Sequence, residues 1–175
     1  MGIVLAPGGA VHGVAGGDVG TVVEEAAAVA GPPVAVGVDM PLHLSPAGWR
    51  PCDEAVRGFL GARRSSVFPV PPAPALVVDD YGAACEVSRR LAGRAFSRQL
   101  WMLRPKIAEL AAWWAAAGGP ASVREVHPET SFAVMAGAPL TAPKRSWEGA
   151  AVRRAALATR GVVVPGDLGE AGRVA

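Results

Sequence analysis

Asparagine is missing from the 175 residues, tyrosine occurs once, and only two of the seventeen basic residues are lysine. Alanine is abundant instead, at 35 residues. That bias reads as the imprint of a GC-rich coding sequence, so alanine and arginine runs say less about structure than usual. The two cysteines, Cys52 and Cys85, show no Cys-x-x-Cys spacing, which argues against a disulfide framework or a zinc knuckle. Charged residues amount to 18% against 51% hydrophobic, which excludes an intrinsically disordered chain. No apolar run reaches the roughly 18 residues of a membrane span, and no charged-then-apolar leader opens the chain. A soluble, cytoplasmic protein with no membrane partner is therefore expected. P-loop, dinucleotide-fingerprint, nucleophile-elbow and His-Glu-x-x-His motifs are absent as well.

What is present fits one domain, 1–175. The 22 glycines and 16 prolines are scattered without a period, so neither collagen nor a flexible linker accounts for them. The net charge of +2 hides an asymmetry: −4 over residues 1–49, +5 over 50–106 and +1 over 107–175. The Arg-rich middle can meet phosphates through planar guanidinium forks, or can be a solvated surface with local ion pairs.

Apolar periodicity predicts an opening hairpin, with strands at 1–5 and 10–15 around Pro7-Gly8-Gly9. A helix capped by Asp18 runs to about Ala30 on a stripe of Val19, Val22, Val23, Ala26 and Ala30. Residues 34–39 read as a strand buried on both faces. Further helices are expected at 52–60, at 79–93 with Asp79 as cap, at 107–117 and at 147–160, with Pro105 in a first turn. A Pro-rich loop is expected at 67–74 and a buried strand at 123–127. Strand, strand, helix and buried strand together indicate an α/β sheet.

Asp39 closes an apolar strand, where open α/β sheets place ligand sites, and a carboxylate there suits Mg²⁺ or Mn²⁺. It can equally be a cap or turn residue. Glu125, His127 and Glu129 share one face if extended geometry continues through Pro128, which would suit metal binding or proton transfer; a structural histidine is the alternative. Arg63-Arg64-Ser65-Ser66 precedes the Pro-rich loop and either cradles a phosphate or stabilises a turn. Ser97, Gln99, Trp101 and Lys106 add polar groups to an amphipathic stretch.

In order, the chain carries Val36-Gly37-Val38-Asp39-Met40-Pro41-Leu42, Arg50-Pro51-Cys52-Asp53 with Arg57, and Arg64-Ser65-Ser66-Val67-Phe68-Pro69. Ser97-Arg98-Gln99 with Trp101, Pro105-Lys106-Ile107, Glu125-Val126-His127-Pro128-Glu129 with Ser131-Phe132, then Lys144 and Gly149 follow. From about residue 1 to about 165 this order resembles the domain of unknown function family 429, whose members are described as predicted nucleases with an RNase-H-like fold. The resemblance implies an RNase-H-like mixed sheet flanked by helices, with Asp39 at the fourth strand. It implies Asp39 and Glu125 as metal ligands for Mg or Mn, and Glu129, His127 and Lys106 as further catalytic groups. Arg57, Arg64, Ser65, Ser66 and Gln99 would contact substrate.

Members of that family usually begin with an Asp-bearing strand and end with an Asp-Asp-containing helix. Residues 1–5 match their second strand, so the sheet is expected to be incomplete at both ends. Residues 1–5 and 34–38 should then pair directly, or accept a strand from another chain in a homo-oligomer. The implied function is a metal-dependent phosphodiester hydrolase, nuclease-like, acting on nucleic acid or a small phosphoester. A non-catalytic nucleic-acid- or phosphate-binding module is the alternative, and a nucleotide-dependent phosphotransferase comes third. Two local expectations follow. Asp39, Glu125 and Glu129 should meet in a cleft bordered by Arg64 and Lys106, and Phe68 should be buried to anchor a loop over it.

Overall fold

An antiparallel hairpin opens the chain, β1 (Gly2–Leu5) pairing with β2 (Val11–Val14) from Gly2↔Val14 to Leu5↔Val11. The computed structural model describes residues 2–6, 9–14, 16–117 and 122–166; Pro7 and Gly8 of the expected turn lie outside that set. Gly9 takes φ +84°, and a Cβ there would come within 2.7 Å of the Gly161 carbonyl, so the hairpin tip admits glycine. Helix α1 (Val19–Ala30) begins where Asp18 accepts the Thr21 N–H at 2.9 Å, as expected of a cap. Its valine–alanine stripe is half-buried against β1 and a later helix.

Strand β3 (Val36–Val38) runs parallel to β4 (Val123–Glu125), with Val36 opposite Val123 and Val38 opposite Glu125. Burial on both faces does not occur. Val34 is 95% exposed, and within the strand half-buried and exposed residues alternate. One face packs on helix α6 (Arg104–Ala116), where Leu110, Trp113 and Trp114 meet Val36, Val38 and Val123. A run of valines satisfies β-propensity without requiring two covered faces. Nor do β1 and β3 pair with each other: among the described residues they belong to separate two-stranded ladders. The hairpin closes over a few residues at small entropic cost, so β1 takes its neighbour in sequence.

Between β3 and β4 the chain is helical: α2 (Pro51–Leu60), a 3₁₀ turn (Gly61–Ser66), α3 (Ala73–Leu76), α4 (Tyr81–Ala92), α5 (Arg98–Met102) and α6. Residues 67–72 form the Pro-rich loop, but Pro74 falls inside α3. The cap of α4 is Asp80 rather than Asp79, its carboxylate accepting from the Ala83 N–H at 2.8 Å. Val70, Leu76, Ala84, Phe96, Leu100 and Ile107 form the main core between loop and helices. After β4 come α7 (Pro128–Ala136) and α8 (Trp147–Ala158). Leu60, Val67 and Ala133 join α2, the loop and α7 in a satellite cluster. The architecture is α/β, and among the described residues no helix is long and apolar enough to cross a membrane.

Candidate functional site

Parallel pairing of β3 and β4 brings their C-terminal ends to one edge. Asp39 follows the last residue of β3, Glu125 ends β4, and the Val126 N–H extends the ladder by donating to the Val38 carbonyl at 2.9 Å. His127 comes next. Asp39 remains exposed, yet partial desolvation of its carboxyl pushes its pKa above the ordinary 3.8, while His127 and Lys144 pull it back and Glu125 adds to the rise. Asp39 is thus within electrostatic reach of His127, Lys144 and Glu125.

His127 is held in one orientation. Its Nε2 lies 3.2 Å from the Ser66 carbonyl, which can only accept, so Nε2 carries the proton. Nδ1 is 3.2 Å from the Thr130 hydroxyl. The ring therefore ties the 3₁₀ turn to the end of β4.

Glu125 is not free to act as a ligand. Arg50 donates to it from both terminal nitrogens, at 2.6 and 2.9 Å, and the Leu42 N–H adds a third bond at 3.1 Å. Arg50 itself is 7% exposed at the start of α2 and also binds Asp53, at 2.5 and 3.1 Å, and the His43 carbonyl. Burial works to lower the Arg50 pKa, but the bonds to Asp53 and Glu125 outweigh it and hold the guanidinium charged. Asp53 in turn accepts the Val70 N–H at 2.8 Å, pinning the Pro-rich loop. Sequence reasoning missed Arg50 as an organising residue. The signal was the Arg50-x-x-Asp53 spacing across a helix start.

The shared face expected for Glu125, His127 and Glu129 is not formed. Pro128 begins α7 instead of continuing the strand, because its fixed φ and missing N–H suit a first helical turn. Glu129 turns away and makes a buried pair with Arg153 of α8, one terminal nitrogen of which donates to both carboxylate oxygens, at 2.7 and 2.8 Å. Arg153 also donates to the Ala142 and Gly149 carbonyls. This pair braces the 142–149 connection, on which Lys144 sits.

Lys106 does not border Asp39. Its Nζ donates to the Gly17 carbonyl at 3.1 Å and pairs with Glu109 at 2.9 Å, beside the start of α1. Arg64 is exposed, and its carbonyl accepts from Arg57, which also holds the Val67 carbonyl at 2.8 Å. Arg57 is thus the clamp of the turn and loop. A groove of about 250 Å³ opens beside it, lined by Ser65, Phe68, Trp49, Arg94 and Ser97 among others. Ser66 and Gln99 do not line it. Phe68 is 41% exposed rather than buried. Val67, Val70, Pro71 and Pro72 anchor the loop in its place.

The acids present do not fit a pair of divalent ions. Such a site needs several carboxylates around two metals held about 4 Å apart. Here Glu125 is engaged by Arg50, Glu129 by Arg153, and no group of three His, Cys, Asp or Glu capable of holding an ion occurs among the described residues.

The profile of a family described as protein of unknown function, DUF429, matches residues 3–174. The chain belongs to that family. Neither the curated proteins nor the solved structures contain a match. DUF429 membership thus agrees with the resemblance drawn from the ordered motifs, and it covers the edge with Asp39, the Arg50 network and the groove alike.

Proposed function

We propose that this DUF429 chain is a nuclease-like domain of RNase-H type that binds a phosphoester, nucleic acid or small molecule, over the edge formed by β3 and β4, with Asp39 facing the phosphate. The observation that carries this reading is the parallel β3–β4 pair, which sets Asp39 beside the Glu125-Val126-His127 segment at one sheet edge, with Glu125 paired to Arg50; the charges of His127 and Lys144 act on the Asp39 carboxyl there. One carboxyl with a raised pKa, flanked by cationic groups, tolerates an approaching phosphate better than a cluster of free carboxylates would. Lys144 supplies a point charge for a phosphate oxygen, and His127, with Nε2 already donating, keeps the 3₁₀ turn in register beside it.

The RNase-H-like character and the use of Mg or Mn belong to the family resemblance. What these residues do by themselves is bind and orient the ester. A second reading, a non-catalytic phosphate- or nucleic-acid-binding module, is favoured by the engagement of Glu125 and Glu129 in ion pairs.

The test measures binding and turnover in parallel. Single-stranded, duplex and hybrid nucleic acids and a small phosphodiester are incubated with and without Mg²⁺ or Mn²⁺, using the wild type, Asp39→Asn and Lys144→Ala. Binding weakened by Lys144→Ala is expected. Turnover abolished by Asp39→Asn assigns the nuclease-like role, and binding without turnover assigns the second reading. Turnover that survives Asp39→Asn, or no binding at all, overturns the proposal.

A further inference from the structure

The loop carrying Phe68 is rigid, yet it leaves that ring outside the core. Arg57 holds the carbonyls of Arg64 and Val67, and Asp53 holds the Val70 N–H, so backbone bonds fix the loop on both sides of Phe68. Val67 and Val70 flank it at 7% and 3% exposure, while Phe68 remains 41% exposed on the wall of the groove. A large apolar ring fixed in contact with water forgoes the usual gain from burial. Trp49, which also lines the groove, carries the Arg94 guanidinium stacked 4.1 Å from its ring centroid, and its indole N–H is anchored on the Ala92 carbonyl at 2.9 Å. Arg94 stays half-exposed and is also paired with Glu54. Aromatic faces, a stacked guanidinium and hydroxyls are the combination that accepts the flat face of a base and the charge of its backbone. The volume, about 250 Å³, falls below that of a drug-sized site and suits one ring system.

The groove also adjoins the Asp39 edge. Ser65 and Val67 line it, and the carbonyl of Ser66, between them, is the group His127 holds. One 3₁₀ turn therefore separates the two places. We propose that the groove takes a single unpaired nucleobase from a nucleic-acid strand whose neighbouring phosphate lies at Asp39 and Lys144, so that the substrate class is single-stranded nucleic acid. This rests on the phosphoester reading above and adds the base. A duplex keeps its bases stacked inward and presents none to Phe68.

The experiment compares affinities for four probes of equal length: a single-stranded RNA, a single-stranded DNA, the same DNA strand made abasic, and a duplex. The intact single strands are expected to bind about tenfold or more tightly than the abasic strand, as loss of a stacking contact predicts. That preference shrinks in Phe68→Leu, which keeps an apolar side chain but removes the ring. Arg94→Gln shrinks it as well, and serves if the Phe68 variant fails to fold. Lys144→Ala weakens intact and abasic strands alike. RNA against DNA identifies the sugar, and either preference supports the proposal. Equal affinity for intact and abasic strands, duplex binding as tight as single-strand binding, or an unchanged preference in both groove variants overturns the base site while leaving the phosphoester reading in place. Failure of every strand to bind overturns both.

Discussion

Arg50 grips Glu125 with both ends of its guanidinium, at 2.6 and 2.9 Å, from a position 75 residues earlier in the chain. The same side chain holds Asp53, so one cation ties the start of α2 to the end of β4 and, through Asp53, to the Pro-rich loop. Replacing it leaves a buried carboxylate at Asp53 without its partner. Arg50→Leu is expected to lower unfolding free energy by about 3–5 kcal/mol, the cost of breaking a buried pair from one side. Arg50→Lys should recover only part, since an ammonium cannot serve both carboxylates with forked geometry. Urea denaturation of the three proteins checks the order, and Arg50→Lys matching the wild type would refute it.

Glu129 and Arg153 form a second buried pair, with side chains 8% and 10% exposed. Glu129→Gln should destabilise by about 3–5 kcal/mol, whereas an apolar replacement of both residues should cost less than the two single losses added together. A double-mutant cycle by thermal or urea unfolding measures the coupling, and simple additivity would show that the pair does not brace α7 on α8.

Gly149 tests the same connection from its backbone. A Cβ at this position would sit 1.8 Å from the Pro143 carbonyl oxygen, which already accepts from the Ser146 N–H and hydroxyl. Gly149→Ala must push that turn aside, at about 1–3 kcal/mol for an overpacked site. Because Lys144 follows Pro143, phosphoester binding should fall in the same variant. Unaltered stability and binding would contradict the packing described.

Asp39 gives a pH-dependent prediction. Desolvation raises its folded-state pKa above the ordinary 3.8, so the ionised form is less favourable in the folded chain than in the unfolded one. This penalty is absent at low pH, where both states are protonated, and develops as pH rises through the unfolded value and then the folded one. Asp39→Asn should therefore unfold at a higher temperature than the wild type at pH 7 and at nearly the same temperature at pH 3. Equal midpoints at pH 7, or a gain confined to pH 3, would count against the assignment.

The cap of α4 separates neighbouring aspartates. Asp80→Ala should cost about 1 kcal/mol and Asp79→Ala close to nothing, because Asp80 alone accepts the Ala83 N–H. Chemical denaturation distinguishes the two.

The amino-acid order alone determined several features that rest on neighbours in sequence: the hairpin, the Asp18 cap, the stripe of α1, Pro105 in a first turn, and the motif series shared with the family. It also singled out Asp39, at the end of an apolar strand, and Glu125, in the spacing Glu125-x-His127-x-Glu129. What tertiary structure decided is who meets whom. The Glu125-His127-Glu129 spacing is compatible with a shared face, but the helix that starts at Pro128 sends Glu129 to Arg153, a partner 24 residues away. Lys106 carries the right charge for a phosphate site, yet α6 sets it beside the start of α1. Phe68 looks like an anchor by hydrophobicity, and the burial is taken by Val67 and Val70 because Arg57 and Asp53 fix the loop backbone between them. Local propensity acts over a few residues and can be read along the chain. The partners of Glu129 and Glu125 lie 24 and 75 residues away, and the bonds that leave the Phe68 ring exposed span 10 and 17, closures settled by the packing of the whole molecule.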